Sequence, residues 1–217
     1  PIRYESSPRA ALAHSLVPLL YFFQHLGLLP EQEEALTGAV STMQAMRGAI
    51  GAQVPTSANL AKQLAHHLYG RLALIYGTGF LASVAHRWKT QVNENTKAWA
   101  FYEALPEMNH NAILGYRVPD EMAADSMVII LQSSLDRVEN RERARVTAEV
   151  LDAAGIRHQV VDAQGATPLA QLLSAVHLGD YVSLYLAALY GIDPTPIPNI
   201  DLLKARLSEA AARRAAT

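Results

Sequence analysis

The chain of 217 residues contains no cysteine. That absence excludes disulfide frameworks, thiolate zinc sites, iron–sulfur clusters and cysteine nucleophiles. Surplus charge is also scarce, with 18 Lys and Arg against 20 Asp and Glu and a formal net charge of −2. No basic excess is present to neutralise a phosphate backbone, so nucleic acid is not an expected partner. Long apolar runs are missing too. The longest, Leu16 to Phe23, is interrupted by Pro18, whereas a helical membrane span needs about 20 residues. Arg3 and Arg9 precede this run as they would in a signal peptide, but Gln24, His25 and the acidic stretch Glu31-Gln32-Glu33-Glu34 follow it without a small-residue cleavage site. A buried helix is the expected reading, with no membrane partner and a cytoplasmic location. The first residue is Pro1, which fits either a trimmed start or a piece of a longer protein.

What is present is globular in kind. Half of the residues are apolar and 18% are charged, a composition that folds around a core. Leu12, Leu16, Leu19, Leu20 and Phe23 recur at helical spacing after Pro8, and Gly27 and Pro30 close that segment. A second helix is expected from about Pro30 to Arg47, with Glu31, Glu33 and Glu34 at the positive end of its dipole. A third is expected over Ser57 to Leu68, with Ser57 as N-cap. From residue 70 short apolar runs alternate with helical stretches. Strands are expected at 71–76, 98–102, 127–131 and 158–162. Helices are expected at about 80–93, 106–115, 135–154, 168–190 and 199–213. Continuous apolarity in Met127-Val-Ile-Ile-Leu131 points to burial on both faces, as in a parallel sheet. The pattern predicts an α/β fold, a sheet with helices on both faces, preceded by a helical arm. Ligands in such folds sit outside the carboxyl ends of the strands. The expected organisation is an arm over 1–55, an α/β domain over 56–190 and a loop with a last helix over 191–217. The Ala- and Arg-rich end from Ala210 is expected to fray.

Three clusters carry candidate chemistry. Gly77-Thr78-Gly79 follows a strand and precedes a helix, where backbone amides favour an anion. It lacks a full dinucleotide fingerprint and a Walker lysine, and a tight strand-to-helix turn is the favoured reading. Gln91-Val-Asn93-Glu94-Asn95-Thr-Lys97 sets a carboxylate between two amides. Glu94 is therefore a candidate general base, or part of a polar helix end. Pro106-Glu107-Met-Asn109-His110-Asn111 places His110 between two amides, as a proton carrier near neutral pH or a helix cap. His66 and His67 are adjacent and diverge on a helix, and no metal-ligand spacing occurs. The charged run Arg137 to Arg145 reads as a solvated helix face.

Taken together, Gln91-x-Asn-Glu-Asn-x-Lys and Pro-Glu-x-Asn-His-Asn resemble the C-terminal half of the bifunctional phosphoglucose/phosphomannose isomerases, which are built from two sugar-isomerase (SIS) domains. Three further stretches are similar to that family: Tyr76-Gly-Thr-Gly ahead of Ala85-His-Arg-Trp-Lys89, Gly179-Asp-Tyr-Val-Ser-Leu-Tyr185, and Tyr190-Gly-Ile-Asp-Pro-Thr-Pro196 before a helix carrying Lys204. The resemblance implies a SIS-type three-layer αβα sandwich with a mainly parallel sheet. It implies an aldose–ketose isomerase without metal or cofactor, acting on a hexose 6-phosphate through a cis-enediol. By motif, Glu94 would move the proton between C2 and C1. His110, supplied by the neighbouring subunit of a homodimer, would assist ring opening. Lys204 would act at the ring oxygen, and Arg9 would bind the substrate and stabilise the enediolate.

Two departures stand out. Ala112 replaces the acidic residue that usually follows Asn-His-Asn. The Ser/Thr-rich phosphate loop of the family's first SIS domain has no counterpart here, Gln132-Ser133-Ser134 being the nearest stretch. Loss of that anchor would lower turnover, because remote binding energy positions the reacting carbons. A non-catalytic SIS module that binds a sugar phosphate for regulation or assembly is the alternative.

Overall fold

Four short segments form four parallel strands in a computed structural model that describes Tyr4 and residues 6–215. They are β1 (Leu72–Gly77), β2 (Ala100–Ala104), β3 (Ser126–Gln132) and β4 (Arg157–Asp162), arranged in the order β2-β1-β3-β4. Registers run from Ala73↔Ala100 to Gly77↔Ala104, from Leu72↔Ser126 to Gly77↔Leu131, and from Met127↔Arg157 to Gln132↔Asp162. β3 is interior, and residues 126–131 are all buried, as its unbroken apolarity predicts.

Eight α-helices accompany this sheet among the described residues. They are α1 (Leu12–His25), α2 (Glu33–Ile50), α3 (Leu60–Leu68), α4 (Ala82–Thr96), α5 (Asp120–Ala124), α6 (Val138–Ala153), α7 (Pro168–Leu189) and α8 (Pro198–Ala215). Alternate strand residues feed two cores. Ala73, Ile75, Ile129 and Leu131 join α2, α3, α4 and α7, while Tyr76, Val128 and Ile130 join α6 and the segment after β2. The predicted layered α/β sandwich is therefore observed. α7 is long and apolar enough, by length and composition, to cross a membrane, yet half of that window is buried in the fold. Its apolar surface packs against α2, α3 and α4.

Several expected boundaries move. α2 begins at Glu33 rather than Pro30 and continues past Gly48 to Ile50. α4 runs three residues further than expected, so Glu94 lies inside its last turn. The helix expected at 106–115 is instead two 3-10 turns, Glu107–His110 and Ala112–Arg117. The side chain of Asn111 accepts from Ala112 N at 2.6 Å and that of Asn109 donates to Thr147 Oγ1 at 3.0 Å. These local and tertiary bonds compete with a continuous helix, while Met108 and Tyr116 anchor the segment in the second core. α8 continues to Ala215, so the expected fraying from Ala210 is not observed that far. Pro1 to Arg3, Glu5, Ala216 and Thr217 lie outside the described residues.

Asn59, not Ser57, caps α3. Its side-chain oxygen accepts from Lys62 N at 3.0 Å and its amide donates to Gly51 O at 3.1 Å, and the residue is fully buried. One side chain thus ties the end of α2 to the start of α3. Asn59→Ala removes the cap and leaves a buried carbonyl unpaired, which costs about 2 kcal/mol. A fall of about 4–8 °C in thermal midpoint is expected by calorimetry for a chain of this size.

Candidate active site

α4 carries its functional residues on two adjacent stripes. Val84, Ala85, Trp88, Val92 and Asn95 are buried at spacings of three and four, the face a helix turns to a core. Near its carboxyl end that face becomes polar. Gln91 Nε2 donates to Asp180 Oδ1 at 2.6 Å and Asn95 Nδ2 donates to Ser183 Oγ at 2.8 Å. Arg87 Nη2 reaches both oxygens of Asp180 at 3.1 Å. The motif around Glu94 and the motif from Gly179 to Tyr185 are therefore two halves of one clamp between α4 and α7.

Glu94 stands at the edge of this clamp. Its Oε2 lies 3.2 Å from Arg9 Nη1. Arg9 also donates through Nη2 to Pro194 O at 2.7 Å and Thr195 O at 3.2 Å, and its own carbonyl accepts from Arg87 Nη2 at 3.0 Å. The Arg9 side chain is only 12% exposed and that of Glu94 is 37% exposed, so the guanidinium is fixed and the carboxylate remains reachable. Lys97, which ends α4 in the left-handed region at φ 59°, donates to Glu94 O at 2.5 Å and Pro194 O at 3.0 Å. Burial first, and the Arg9 charge second, hold its ammonium below the usual lysine range. Asp180, Ser183 and Lys97 stand in sequence motifs that assign them no task. The signal was the run of polar residues continuing the buried stripe of α4.

A cleft of about 640 Å³ opens beside this cluster, lined by Lys89, Asn93, Glu94, Trp99, Phe101 and Ile200 among others. That volume suits a small metabolite. The other three candidates do not line it, and Arg9 lines a separate pocket with Gln91, Asn95 and Asp180. α4 starts beyond the carboxyl end of β1 and runs back, so Glu94 lies by the amino end of β2. His110 lies beyond the carboxyl end of β2, exposed, at the close of a 3-10 turn. The five residues of β2 span about 13 Å, and the two residues lie towards opposite ends of that strand within one chain. His110 therefore lies outside the carboxyl ends of the strands, and Glu94 and its partner Arg9 do not. Lys204 is exposed on α8, one turn beyond Ile200, which lines the cleft.

The Gly77-Thr78-Gly79 turn is structural. A Cβ on Gly77 would lie 2.5 Å from Leu81 O, and one on Gly79 would lie 2.5 Å from the carboxylate of Asp136. Thr78 N donates to Leu131 O at 3.2 Å. A carboxylate therefore occupies the ground on which an anion was an alternative reading. Among the described residues no group of three or more His, Asp or Glu side chains could hold a metal ion.

A parallel sheet of this order, flanked by helices, is the fold of the SIS class of phosphosugar-isomerase domains. The profile of the bacterial phospho-glucose isomerase C-terminal SIS domain matches residues 57–207, and the chain belongs to that family. It is 37% identical over 203 residues to a bifunctional phosphoglucose/phosphomannose isomerase of Caldicellulosiruptor bescii, covering 93% of this chain and 60% of that protein. A protein of the same name from Thermoplasma acidophilum is 29% identical, with 93% of this chain and 59% of that protein covered. The chain thus spans at most about three fifths of the length of these relatives. Among solved structures, a glucose-6-phosphate isomerase like protein from Thermus thermophilus superposes with a TM-score of 0.66 at 25% identity, covering 78% of this chain and 57% of that one.

Proposed function

We propose that this chain is the proton-transferring part of an aldose–ketose isomerase that converts glucose 6-phosphate and mannose 6-phosphate to fructose 6-phosphate through a cis-enediol. The observation that carries the reading is the Glu94 carboxylate held 3.2 Å from the Arg9 guanidinium on the wall of a metabolite-sized cleft. The names of the relatives support it. Glu94 takes the hydrogen from C2 and returns it to C1. Arg9 presents a fixed positive charge where the enediolate oxygens develop, which stabilises them far more in a water-poor cleft than in water. Lys204 exchanges a proton with the ring oxygen. His110 assists ring opening from the second subunit of a homodimer, consistent with its distance from Glu94 along β2. No cofactor enters this scheme. Residues 1–55 act as an arm, 56–190 as the SIS domain and 191–217 as the element that brings Lys204, all in the cytoplasm.

The test is a coupled assay on the protein of the intact reading frame. Fructose 6-phosphate should form from glucose 6-phosphate, and from mannose 6-phosphate, without added metal and in the presence of a chelator. Binding of these sugars without turnover in the intact protein overturns the proposal.

A further inference from the structure

We propose that Lys97 is a positioning residue of the cleft: together with Arg9 it holds the carbonyl of Pro194, and this shared contact fixes the segment 193–200 and the start of α8 against the end of α4. The inference rests on the isomerase reading for its kinetic consequence and on geometry alone for its structural one.

The first sign is local. Lys97 ends α4 at φ 59° and is the one non-glycine residue with positive φ among the described residues. The other positive-φ positions are all glycine, the residue that adopts this conformation without a clash between Cβ and backbone. A side chain kept in that region at the edge of a cleft points to a task for the side chain.

Its contacts define the task. Lys97 Nζ donates to Glu94 O at 2.5 Å and to Pro194 O at 3.0 Å. A lysine that served only the helix end would stop at the carbonyls of the last turn, whereas this one crosses to a distant loop. The Pro194 oxygen accepts at the same time from Arg9 Nη2 at 2.7 Å, so both of its lone pairs are used. Two cations on one oxygen repel each other. Burial, and then the Arg9 charge, work against the ammonium, while Asp193 and Glu94 work for it. A flexible lysine stem could carry the charge into water instead, yet the ammonium stays on the loop.

What the loop carries gives the contact its consequence. One part of the cleft lining is the end of α4 with the start of β2, and the rest is Ile197 to Ile200. α8 begins at Pro198 and buries none of its residues, so core packing does not hold this second part in place. Hydrogen bonds hold it. Arg9 reaches Pro194 O and Thr195 O, Lys97 reaches Pro194 O, and Asp193 Oδ1 closes the turn by accepting from Thr195 N at 2.8 Å. Lys204 stands on the same helix, so the contact also sets its position relative to Glu94.

Lys97→Gly separates this role from a purely structural one, because it should move stability and rate differently. In the protein of the intact reading frame the thermal midpoint should hold or rise, since glycine adopts positive φ freely. The isomerase kcat should fall at least about 10-fold as the groups of the cleft lose their register. Lys97→Met, which keeps the stem and loses the ammonium, should lose rate to the same extent. Lys97→Arg, whose N–H groups can bond the same carbonyls, should recover most of it. Amide hydrogen exchange supplies a readout that needs no turnover. The N–H groups of Thr195, Ile200 and Asp201 are bonded within the loop and the first turn of α8. They should exchange faster in Lys97→Gly and Lys97→Met, and at the unaltered rate in Lys97→Arg. A midpoint that falls with the rate in Lys97→Gly, an unchanged rate in an active protein, or unchanged exchange would each overturn the proposal. An inactive protein in which Lys97→Met still frees the loop overturns the isomerase reading alone. An active one in which neither rate nor exchange responds overturns the positioning role alone.

Discussion

Glu94→Gln is expected to stop isomerisation while leaving the fold and the cleft intact. The amide is the same size as the carboxylate, and its oxygen can still accept from Arg9 Nη1, now 3.2 Å from Glu94 Oε2. What it cannot do is accept and return a proton. Positioned acid–base groups contribute roughly 10²–10⁴-fold to rate, so kcat should fall by at least that range. KM should change little, because the lost interaction is made only in the transition state. Proton NMR in heavy water gives the more specific readout. The C2 hydrogen of glucose 6-phosphate should no longer exchange with solvent. Continued exchange at the unaltered rate would remove Glu94 from its role. Glu94→Asp, with the carboxylate drawn back by one methylene, should retain exchange at a reduced rate. That result would separate loss of a base from general disturbance of the α4 end.

The contrast between Glu94 and His110 shows which parts of such a site a sequence can carry. The two motifs are separated by an apolar run, and that run is β2. A strand between two residues places them at opposite ends of a sheet, so their separation was legible from the order of elements. The Arg9–Glu94 contact was legible only through resemblance, since 85 residues separate the partners and no periodicity links them. The clamp of Gln91 and Asn95 on Asp180 and Ser183 was half legible. Polar residues continuing the buried stripe of α4 announce a polar partner but do not name it.

Local rules failed where side chains compete with the backbone. Pro106 and Gly115 bracket a segment that reads as a helix, but Asn109 and Asn111 spend their amides on Thr147 Oγ1 and on the backbone of Ala112. Two 3-10 turns result. Ala112 supplies the backbone N–H in that cap, a task any residue but proline permits, so the departure from an acidic residue there leaves the turn unchanged. The five residues of α5 are too few to show a helical period.

The largest stability effect is expected where α4 and α7 come closest. Trp88 is buried, and its indole N–H donates to Ala175 O at 2.8 Å. The indole crosses α7 directly over Gly179, where a Cβ would lie 2.3 Å from Nε1 and 2.5 Å from two ring carbons. Trp88→Ala should cost about 3–5 kcal/mol, from lost burial and the cavity left behind. Gly179→Ala should cost about 1–3 kcal/mol by overpacking, despite the usual gain of about 0.5–1 kcal/mol when Ala replaces Gly inside a helix. The two effects should not add. Once the indole is gone, the new methyl enters vacated space, and Gly179→Ala in the Trp88→Ala background should be neutral or stabilising. Urea midpoints of the four proteins give the coupling directly, and additivity would mean that the contact does not set the helix separation. That separation matters for the chemistry, because Asp180 and Ser183 hold Gln91 and Asn95 on either side of Glu94. A displacement of α7 by Gly179→Ala should therefore lower kcat as well as stability, and Trp88→Ala combined with Gly179→Ala should recover part of the activity that Gly179→Ala alone removes.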